Sequence, residues 1–191
     1  MQIKKKKWFD VLAPQEFGGK VIATTIAAEE SNLIGRKLIL NLMYLLNDYK
    51  KHNAKVTFKI NNVANGRAQT ELLRYELLLS NLKRLVRKAK DKINDSFVVE
   101  TKDKVKVRMK PYFITKNRAQ RRILSAIKKR AREFMAETVA KDDFSNIMLD
   151  VFSSKLQREL KDVLNKVYPL AICELSVVER STSERKREVI P

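Results

Sequence analysis

Hydrophobic and polar residues alternate with a period of two in the first part of the chain. Between residues 55 and 60, the apolar Val56, Phe58 and Ile60 are separated by polar residues. Such alternation predicts a strand with one face buried and the other in solvent. Asn65-Gly66 follows and is typical of a tight hairpin turn, so a partner strand is expected over residues 67–75. Two more strands are predicted at 21–26 and 36–46, with a turn at 31–35 between them.

A second hairpin is predicted farther along the chain. β-Branched and aromatic residues at 97–101 and 105–114 flank a polar loop at 102–104. In the later strand, apolar residues alternate with cations: Val105, Lys106, Val107, Arg108, Met109 and Lys110. One face of this strand is therefore expected in the core, and the other carries three positive charges.

The hydrophobic period changes to that of a helix in three segments. The first is predicted to begin with Ser80 as its N-cap and to carry the apolar residues Leu82, Leu85, Val86, Ala89 and Ile93. The second spans about 117–140, with Asn117 and Gln120 as a capping box. The third, at 144–168, is predicted as one or two helices that Pro169 ends. Asp142-Asp143 separate the last two segments, and a final strand is expected at 170–178.

These elements indicate an α+β fold, with strands first and helices gathered later. A chain of 191 residues is predicted to form a single domain, placed here at 15–180. A basic N-terminal arm at 1–14 precedes it, and a polar, flexible tail at 181–191 follows. The one cysteine, Cys173, cannot form an internal disulfide, and a chain of this length does not need one.

The net charge narrows the choice of partner. The chain has 41 Lys and Arg against 22 Asp and Glu, which gives +19. Self-repulsion at this level favours binding to a polyanion, of which nucleic acid is the first candidate and an anionic membrane the second. No apolar stretch approaches the roughly 18 residues of a spanning helix, and the N-terminus does not resemble an export signal, so no membrane partner and a cytoplasmic location are expected.

The strongest binding signal lies at residues 116–132, which contain eight cations and no acid. The cations are Lys116, Arg118, Arg121, Arg122, Lys128, Lys129, Arg130 and Arg132. Most recur at helical spacing opposite an apolar row of Ile123, Leu124, Ile127, Ala131, Phe134 and Met135. Solubilising helices mix charge signs because like charges at i,i+4 are destabilising. This helix is therefore predicted to bind phosphate.

Two weaker basic segments accompany it. Residues 83–92 include Arg84, Arg87 and Lys88, for which simple solvation and RNA contact are equally supported, because Asp91 lies nearby. At the N-terminus, Lys4, Lys5, Lys6 and Lys7 are expected to contact phosphate. Trp8 and Phe9 could stack on a base or anchor the arm to the core, and anchoring is favoured. The strands show no aromatic stacking motif, so recognition of RNA backbone and shape is expected.

Catalytic signatures are weak. The single histidine, His52, lies in a polar loop and is interpreted as a surface residue. Cys173 lies in an apolar run and is interpreted as buried. Asp142-Asp143 could hold a metal but are better explained as a helix cap. The chain is thus predicted not to be an enzyme, with no cofactor and no metal site.

Five segments resemble one known family. KKKWFDVLAP (5–14), NLIGR (32–36), LKRLVRKAKDKI (82–93), TKNRAQRRILSAIKKR (115–130) and VYPLAICELSVVE (167–179) are similar, in this order, to the archaeal and eukaryotic small-subunit ribosomal protein family S-three-A-e. The short C-terminus resembles archaeal members. Residues 101–104 depart from the family, which commonly has a Thr-x-Asp-Gly turn there.

The resemblance implies a β-barrel-like, mostly antiparallel sheet with flanking basic helices, located on the platform of the small subunit. It further implies contact with the 3′ region of the small-subunit rRNA near the mRNA exit, with mRNA and platform proteins such as S-eleven as neighbours. The arm and the start of the helix at 116–132 are the RNA contacts it favours. Lys106 and Arg108 are added as candidates from the cationic strand face. The alternative is a free-standing, non-specific nucleic-acid-binding protein or RNA chaperone.

Overall fold

The computed structural model describes residues 5–181. The chain divides into two compact units, Met1–Arg74 and Tyr75–Pro191, which we call the first and the second unit. Each unit combines strands with at least one helix, and the strands are mostly antiparallel. The predicted α+β class is confirmed.

The first unit is built around five strands and one short helix. These are β1 (Lys7–Leu12), β2 (Val21–Ala27), β3 (Lys37–Asn41), α1 (Leu42–Leu46), β4 (Ala54–Ala64) and β5 (Arg67–Leu77), which continues past the unit boundary. Short 3-10 turns lie at Gln15–Phe17, Glu30–Asn32 and Tyr49–Lys51. The strand order is β2-β1-β5-β4-β3, in which β1 and β5 are parallel. β2 and β3 are therefore the outer strands of this arrangement.

The predicted alternation in β4 is confirmed, since Val56, Phe58 and Ile60 are all buried. The predicted hairpin between β4 and β5 is also confirmed. Its turn residues Asn65 and Gly66 have φ values of 52° and 73°. A two-residue hairpin loop needs such left-handed backbone at both positions, which Asn and Gly adopt most easily.

The core of the first unit gathers side chains from distant parts of the chain: Phe9, Val11, Ala27, Leu33, Ile60 and Ala68. Arg36, just before β3, connects to β2 at the surface. Its guanidinium donates to the Thr25 hydroxyl at 3.0 Å and to the Ile26 carbonyl at 3.1 Å. A side chain thus ties β2 to the start of β3, although the two strands are not paired and the sheet is open.

The second unit is organised by a long central strand. Its elements are α2 (Leu79–Leu85), β6 (Lys92–Asn94), β7 (Phe97–Glu100), β8 (Lys106–Thr115), α3 (Arg121–Val139), α4 (Phe144–Phe152), α5 (Lys155–Asn165) and β9 (Leu170–Arg180). β8 pairs antiparallel with β9 on one edge, along most of its length, and with β6 and β7 on the other edge. The hairpin β7–β8 and the final strand are confirmed predictions.

The helices α3, α4 and α5 pack against the sheet and against one another. α3 contacts β7 and α5, α4 contacts α5, and α5 contacts β9. The buried residues of α3 repeat every four positions, at Ile127, Ala131, Met135 and Val139. Two separate helices, α4 and α5, occupy the segment for which one or two were predicted.

The predicted strand at 36–46 is wrong in its second half. The Asn41 side chain accepts a hydrogen bond from the Met43 N–H at 3.0 Å and starts α1. Asn is a strong N-cap because its short side chain reaches the free N–H groups of the first turn. An apolar run alone could not distinguish a buried strand from a short helix.

The helix predicted from Ser80 is also shorter than expected. α2 ends at Leu85 without Ser80 as its cap, and Ala89 has a left-handed φ of 63°. Ile93 belongs to β6, where it lies opposite Phe113 of β8. Pairing with a strand distant in sequence therefore overrides the helical period of this segment.

The predicted caps around α3 need correction. Gln120, not Asn117, is the N-cap residue of α3, and its side chain makes no capping bond. Asp91 instead accepts from the Ala119 N–H at 2.7 Å. Asp143 does occupy the N-cap of α4, but the Phe144 N–H donates to the Asp103 carboxylate at 3.3 Å. The Ala119 N–H before α3 and the first N–H of α4 are therefore both bound by carboxylates distant in sequence.

Within the predicted basic arm at 1–14, residues 7–12 form β1. Phe9 is buried, as predicted, but Trp8 is 70% exposed, so core anchoring by Trp8 is wrong. In a strand, successive side chains point to opposite faces, and only one of two neighbours can enter the core. Lys4 and most of the predicted tail, 182–191, lie outside the described residues.

One ion pair fixes the flank of α3. Arg132 donates to both carboxylate oxygens of Asp95, each at 2.7 Å, and the Asp95 side chain is only 9% exposed. Burial of Asp95 opposes its charged form, but the hydrogen bonds from Arg132 and the Ser96 N–H and the charges of Arg132 and Lys128 outweigh it. They hold the pKa of Asp95 below its usual range.

Replacing Asp95 with Asn should lower the free energy of unfolding by about 1–3 kcal/mol, because a charged hydrogen-bonded pair is lost from a shielded position. Chemical denaturation measures this. Glu133→Gln is the matched control on α3, since its pair with Arg130 at 3.3 Å is exposed and should contribute under about 1 kcal/mol. Equal losses in the two variants would contradict the importance of Asp95.

The pair between Arg132 and Asp95 also predicts that the free energy of unfolding depends on pH. Because the pKa of Asp95 is lowered in the folded state, its stabilisation is present above the usual pKa of Asp. It is lost as the pH falls through the folded pKa. The stability of Asp95→Asn should therefore decline less steeply in acid than that of the wild type. Parallel acid-unfolding curves would show that the pair contributes nothing.

Candidate nucleic-acid interface

The buried row of α3 determines which of its cations face solvent. Ile127, Ala131, Met135 and Val139 pack inward, so residues about half a turn away point outward. Arg122 and Lys129, seven residues apart, are exposed on this outer side, and Arg121 is exposed beside them. Lys128 is half-buried on the flank, next to Arg132. The predicted separation of apolar and basic sides is thus present, although Ile123, Leu124 and Phe134 are only half-buried.

Positive charge is concentrated where α3 begins. Its first turn contains Arg121 and Arg122 and no acid, and the helix dipole places further positive charge at this end. Lys116 and Arg118 are exposed in the loop just before it. Cations at a helix N-terminus repel the dipole, so this arrangement is unfavourable until an anion binds.

Backbone hydrogen bonds hold the loop that precedes α3. The Lys116 N–H donates to the Pro169 carbonyl at 3.0 Å, and the Tyr168 hydroxyl donates to the Arg118 carbonyl at 3.1 Å. The Ala119 N–H is bound by Asp91. The backbone of residues 116–119 is therefore held at three points while the cationic side chains extend into solvent.

Two other cations of this segment already have acidic partners. Arg132 is held by Asp95 and is half-buried, and Arg130 pairs with Glu133. The sequence contains no acid between 116 and 132. The partner of Arg132 is Asp95, which lies in the loop before β7. The pattern of residues within α3 could not predict this contact.

The remaining predicted residues lie in separate places. In the second unit, Lys106 is exposed on β8, whereas Arg108 pairs with Glu179 of β9 at 3.1 Å. Arg84 is exposed on α2, and Arg87 and Lys88 are exposed in the irregular segment after it, not on a shared helix face. In the first unit, Lys5, Lys6 and Lys7 are exposed at the start of β1.

The groups examined as catalytic candidates have ordinary surroundings. Burial, followed by the charge of Glu174, raises the pKa of the Cys173 thiol to about 12, so it is not a nucleophile at neutral pH. The His52 Nδ1 lies 2.9 Å from the Tyr49 carbonyl in an exposed turn. Within residues 5–181, no group of three or more potential metal ligands is assembled. In the same range, every helix is too short or too polar to cross a membrane.

Several exposed side chains were not predicted as functional. Ile39, Tyr44 and Tyr49 are 64%, 75% and 80% exposed in the first unit. Their segment was interpreted as a strand and a polar loop, so its tyrosines were not recognised as a surface. The exposure depends on α1, which the sequence pattern did not reveal.

The chain is similar to known proteins along nearly its whole length. The model of the Ribosomal S3Ae family matches residues 2–182. A protein of Nanoarchaeum equitans named small ribosomal subunit protein eS1 is 34% identical over 166 residues, covering 87% of this chain and 84% of its own. Proteins of the same name from Haloarcula marismortui and Methanoculleus marisnigri are each 30% identical, covering 98% and 91% of this chain and 86% and 88% of their own.

The family match tests the predicted class of function. The family is one of ribosomal structural proteins and not of enzymes, which agrees with the predicted lack of catalysis. The resemblance noted in five segments is confirmed over nearly the whole chain. The chain belongs to the ribosomal S3Ae family.

Proposed function

We propose that the protein is a structural constituent of the small ribosomal subunit and binds rRNA through the first half of α3. The observation that carries this proposal is the cluster of exposed cations at the start of α3, on a backbone held by Pro169, Tyr168 and Asp91. Rigid placement reduces the entropy lost when side chains order on a ligand. Phosphate groups would also remove the repulsion between these cations and the helix dipole.

The cations divide into two roles in this proposal. Lys116, Arg118, Arg121, Arg122 and Lys129 are exposed and contact phosphate directly. Arg132 and Arg108 are held by Asp95 and Glu179, so they orient the helix and the strand and add to the local field. Lys128, Lys106, Arg84, Arg87, Lys88 and the lysines at 4–7 supply further, more diffuse attraction.

The location is part of the same proposal, and membership of the family supports it. The relatives carry the name small ribosomal subunit protein eS1, which supports a place in that subunit. The resemblance of the five segments further implies the platform of a cytoplasmic ribosome, near the 3′ region of the rRNA and the mRNA exit. Neighbouring platform proteins and mRNA are the additional partners in this arrangement.

Changing Arg118, Arg121 and Arg122 together to Glu should prevent incorporation into the small subunit, because three phosphate contacts become repulsions. Sucrose-gradient sedimentation of tagged protein measures incorporation. The control variant changes Lys155 and Arg158 of α5, and Lys166 directly after it, to Glu. All three residues are exposed, and the net charge changes by the same amount as in the α3 variant. If the α3 variant is folded by circular dichroism and still co-sediments, α3 is not the RNA surface.

The same sucrose-gradient experiment also distinguishes a ribosomal constituent from a free RNA chaperone. A ribosomal constituent migrates in near-stoichiometric amounts with small subunits. A non-specific nucleic-acid-binding protein should instead spread over the gradient. That distribution would support the alternative and contradict the proposal.

Binding of purified protein to small-subunit rRNA should weaken steeply with salt. Six to ten phosphate contacts would lower the affinity by about 10³–10⁵ between about 50 and 200 mM salt. Each lost contact reduces the slope of log affinity against log salt by about 0.7–0.9, so the α3 triple variant should lose about 2–3 units of slope. Filter binding over a salt series measures both. An unchanged slope would show that these arginines do not contact phosphate.

A further inference from the structure

Large apolar side chains are exposed at several places in the first unit, and four of them lie within residues 39–49. Ile39 of β3 is 64% exposed, Tyr44 and Leu46 of α1 are 75% and 40% exposed, and Tyr49 of the following turn is 80% exposed. α1 contacts β3, β4 and this turn, so these residues belong to one local structure. Single exposed apolar residues are ordinary, but a cluster with two tyrosines usually marks a binding surface.

Lysines share the outer face of β3 and β4 with Ile39. The register places Lys37 directly opposite Lys59, and Asn41 opposite Lys55. The inward positions of β4 hold Val56 and Phe58, so the lysines point to the other side of the strands. Like charges directly opposite each other are destabilising, which indicates that a negative ligand offsets them.

The charge of the whole segment supports the same conclusion. Residues 36–59 contain six cations and one acid: Arg36, Lys37, Lys50, Lys51, Lys55, Lys59 and Asp48. The Asp48 carboxylate accepts a hydrogen bond from the Lys50 N–H at 3.0 Å and caps the 3-10 turn. The segment as a whole is therefore cationic and suits a polyanion, although Arg36 already donates to β2.

Hydrogen bonds hold Tyr49 in place relative to β3. Asn41 donates from its amide to the His52 carbonyl at 2.8 Å while its oxygen caps α1. The ring of His52 lies 2.9 Å from the Tyr49 carbonyl. A tyrosine on a fixed backbone provides contact area at a small loss of conformational entropy.

We propose that this tyrosine surface, formed by Lys37, Ile39, Tyr44, Tyr49, Lys55 and Lys59, binds an unpaired segment of RNA. Bases stack on the exposed tyrosine rings, and the lysines contact the phosphates between them. A duplex does not fit because its bases are already stacked on each other. A protein neighbour is less suited, since protein interfaces are depleted in lysine.

This proposal is independent of the α3 surface. The tyrosine surface lies in the first unit, and α3 lies in the second. It also changes the kind of recognition, because the predicted contacts of α3 reach only backbone and shape, whereas stacked bases require a single strand.

The test uses the full-length protein and a labelled 12-nucleotide oligouridylate in about 200 mM salt, where non-specific attraction is weakened. Tyr44→Ala and Tyr49→Ala should each weaken binding by about 5- to 150-fold, the equivalent of one lost base stack. Tyr44→Phe and Tyr49→Phe keep the ring and should retain most of the affinity. A 12-base-pair duplex should bind all of these variants alike. Fluorescence anisotropy measures each affinity.

Leu79→Ala is the matched control, since Leu79 is 66% exposed and lies in the second unit. It should bind the oligouridylate normally. If Tyr49→Ala binds the single strand as tightly as the wild type, or weakens single strand and duplex equally, the proposal is wrong. If the tyrosine variants lose only their retention on small subunits, the surface binds a protein instead, which also overturns it.

A combined variant separates this proposal from the function of α3. Reversing Arg118, Arg121 and Arg122 should weaken oligouridylate binding by the same factor in the wild type and in Tyr49→Ala.

In assembled subunits, ultraviolet cross-links from the tyrosine surface should reach RNA. Cross-links present without mRNA identify an unpaired rRNA loop, and cross-links that require added mRNA identify the messenger. Cross-links to protein alone would contradict the proposal.

Discussion

The net charge of +19 is the constraint on which the arrangement of this protein depends. Cations must lie where water or a polyanion screens them, while the apolar residues still form cores. The few acids near the basic segments therefore bind particular cations or backbone groups. Asp95 holds Arg132, Asp91 holds the start of α3, and Glu179 holds Arg108. These contacts orient the cationic elements and leave the exposed arginines and lysines for a ligand.

The two units meet this constraint in different ways. In the second unit, a long helix packs one row of residues inward and presents Arg122 and Lys129 outward. In the first unit, lysines line the outer face of two paired strands, and tyrosines are exposed in the helix and turn that follow β3. The first arrangement suits phosphates at fixed positions. The second combines charge with aromatic rings and suits bases that are free to stack.

Much of the local structure was predictable because neighbouring residues decide it. The alternation at Val56, Phe58 and Ile60 and the left-handed preference of Asn65-Gly66 led directly to a correct hairpin. The family was predictable as well, because its segments recur in order along the chain. Predictions failed where a distant partner decides. Ile93 carries a helical period but pairs with Phe113, and the loop before α3 is held by Asp91, whereas Asn117 does not cap the helix.

The sequence by itself determined the excess of cations, their concentration at 116–132, the hairpins and the family. It did so because charge, turn preference and short-range periodicity are properties of neighbouring residues. Only the tertiary structure decided which cations remain exposed and which are held by acids. Strand pairing and helix packing bring Asp95 to Arg132 and Glu179 to Arg108. These contacts join residues that are distant in sequence, so local pattern carries no information about them.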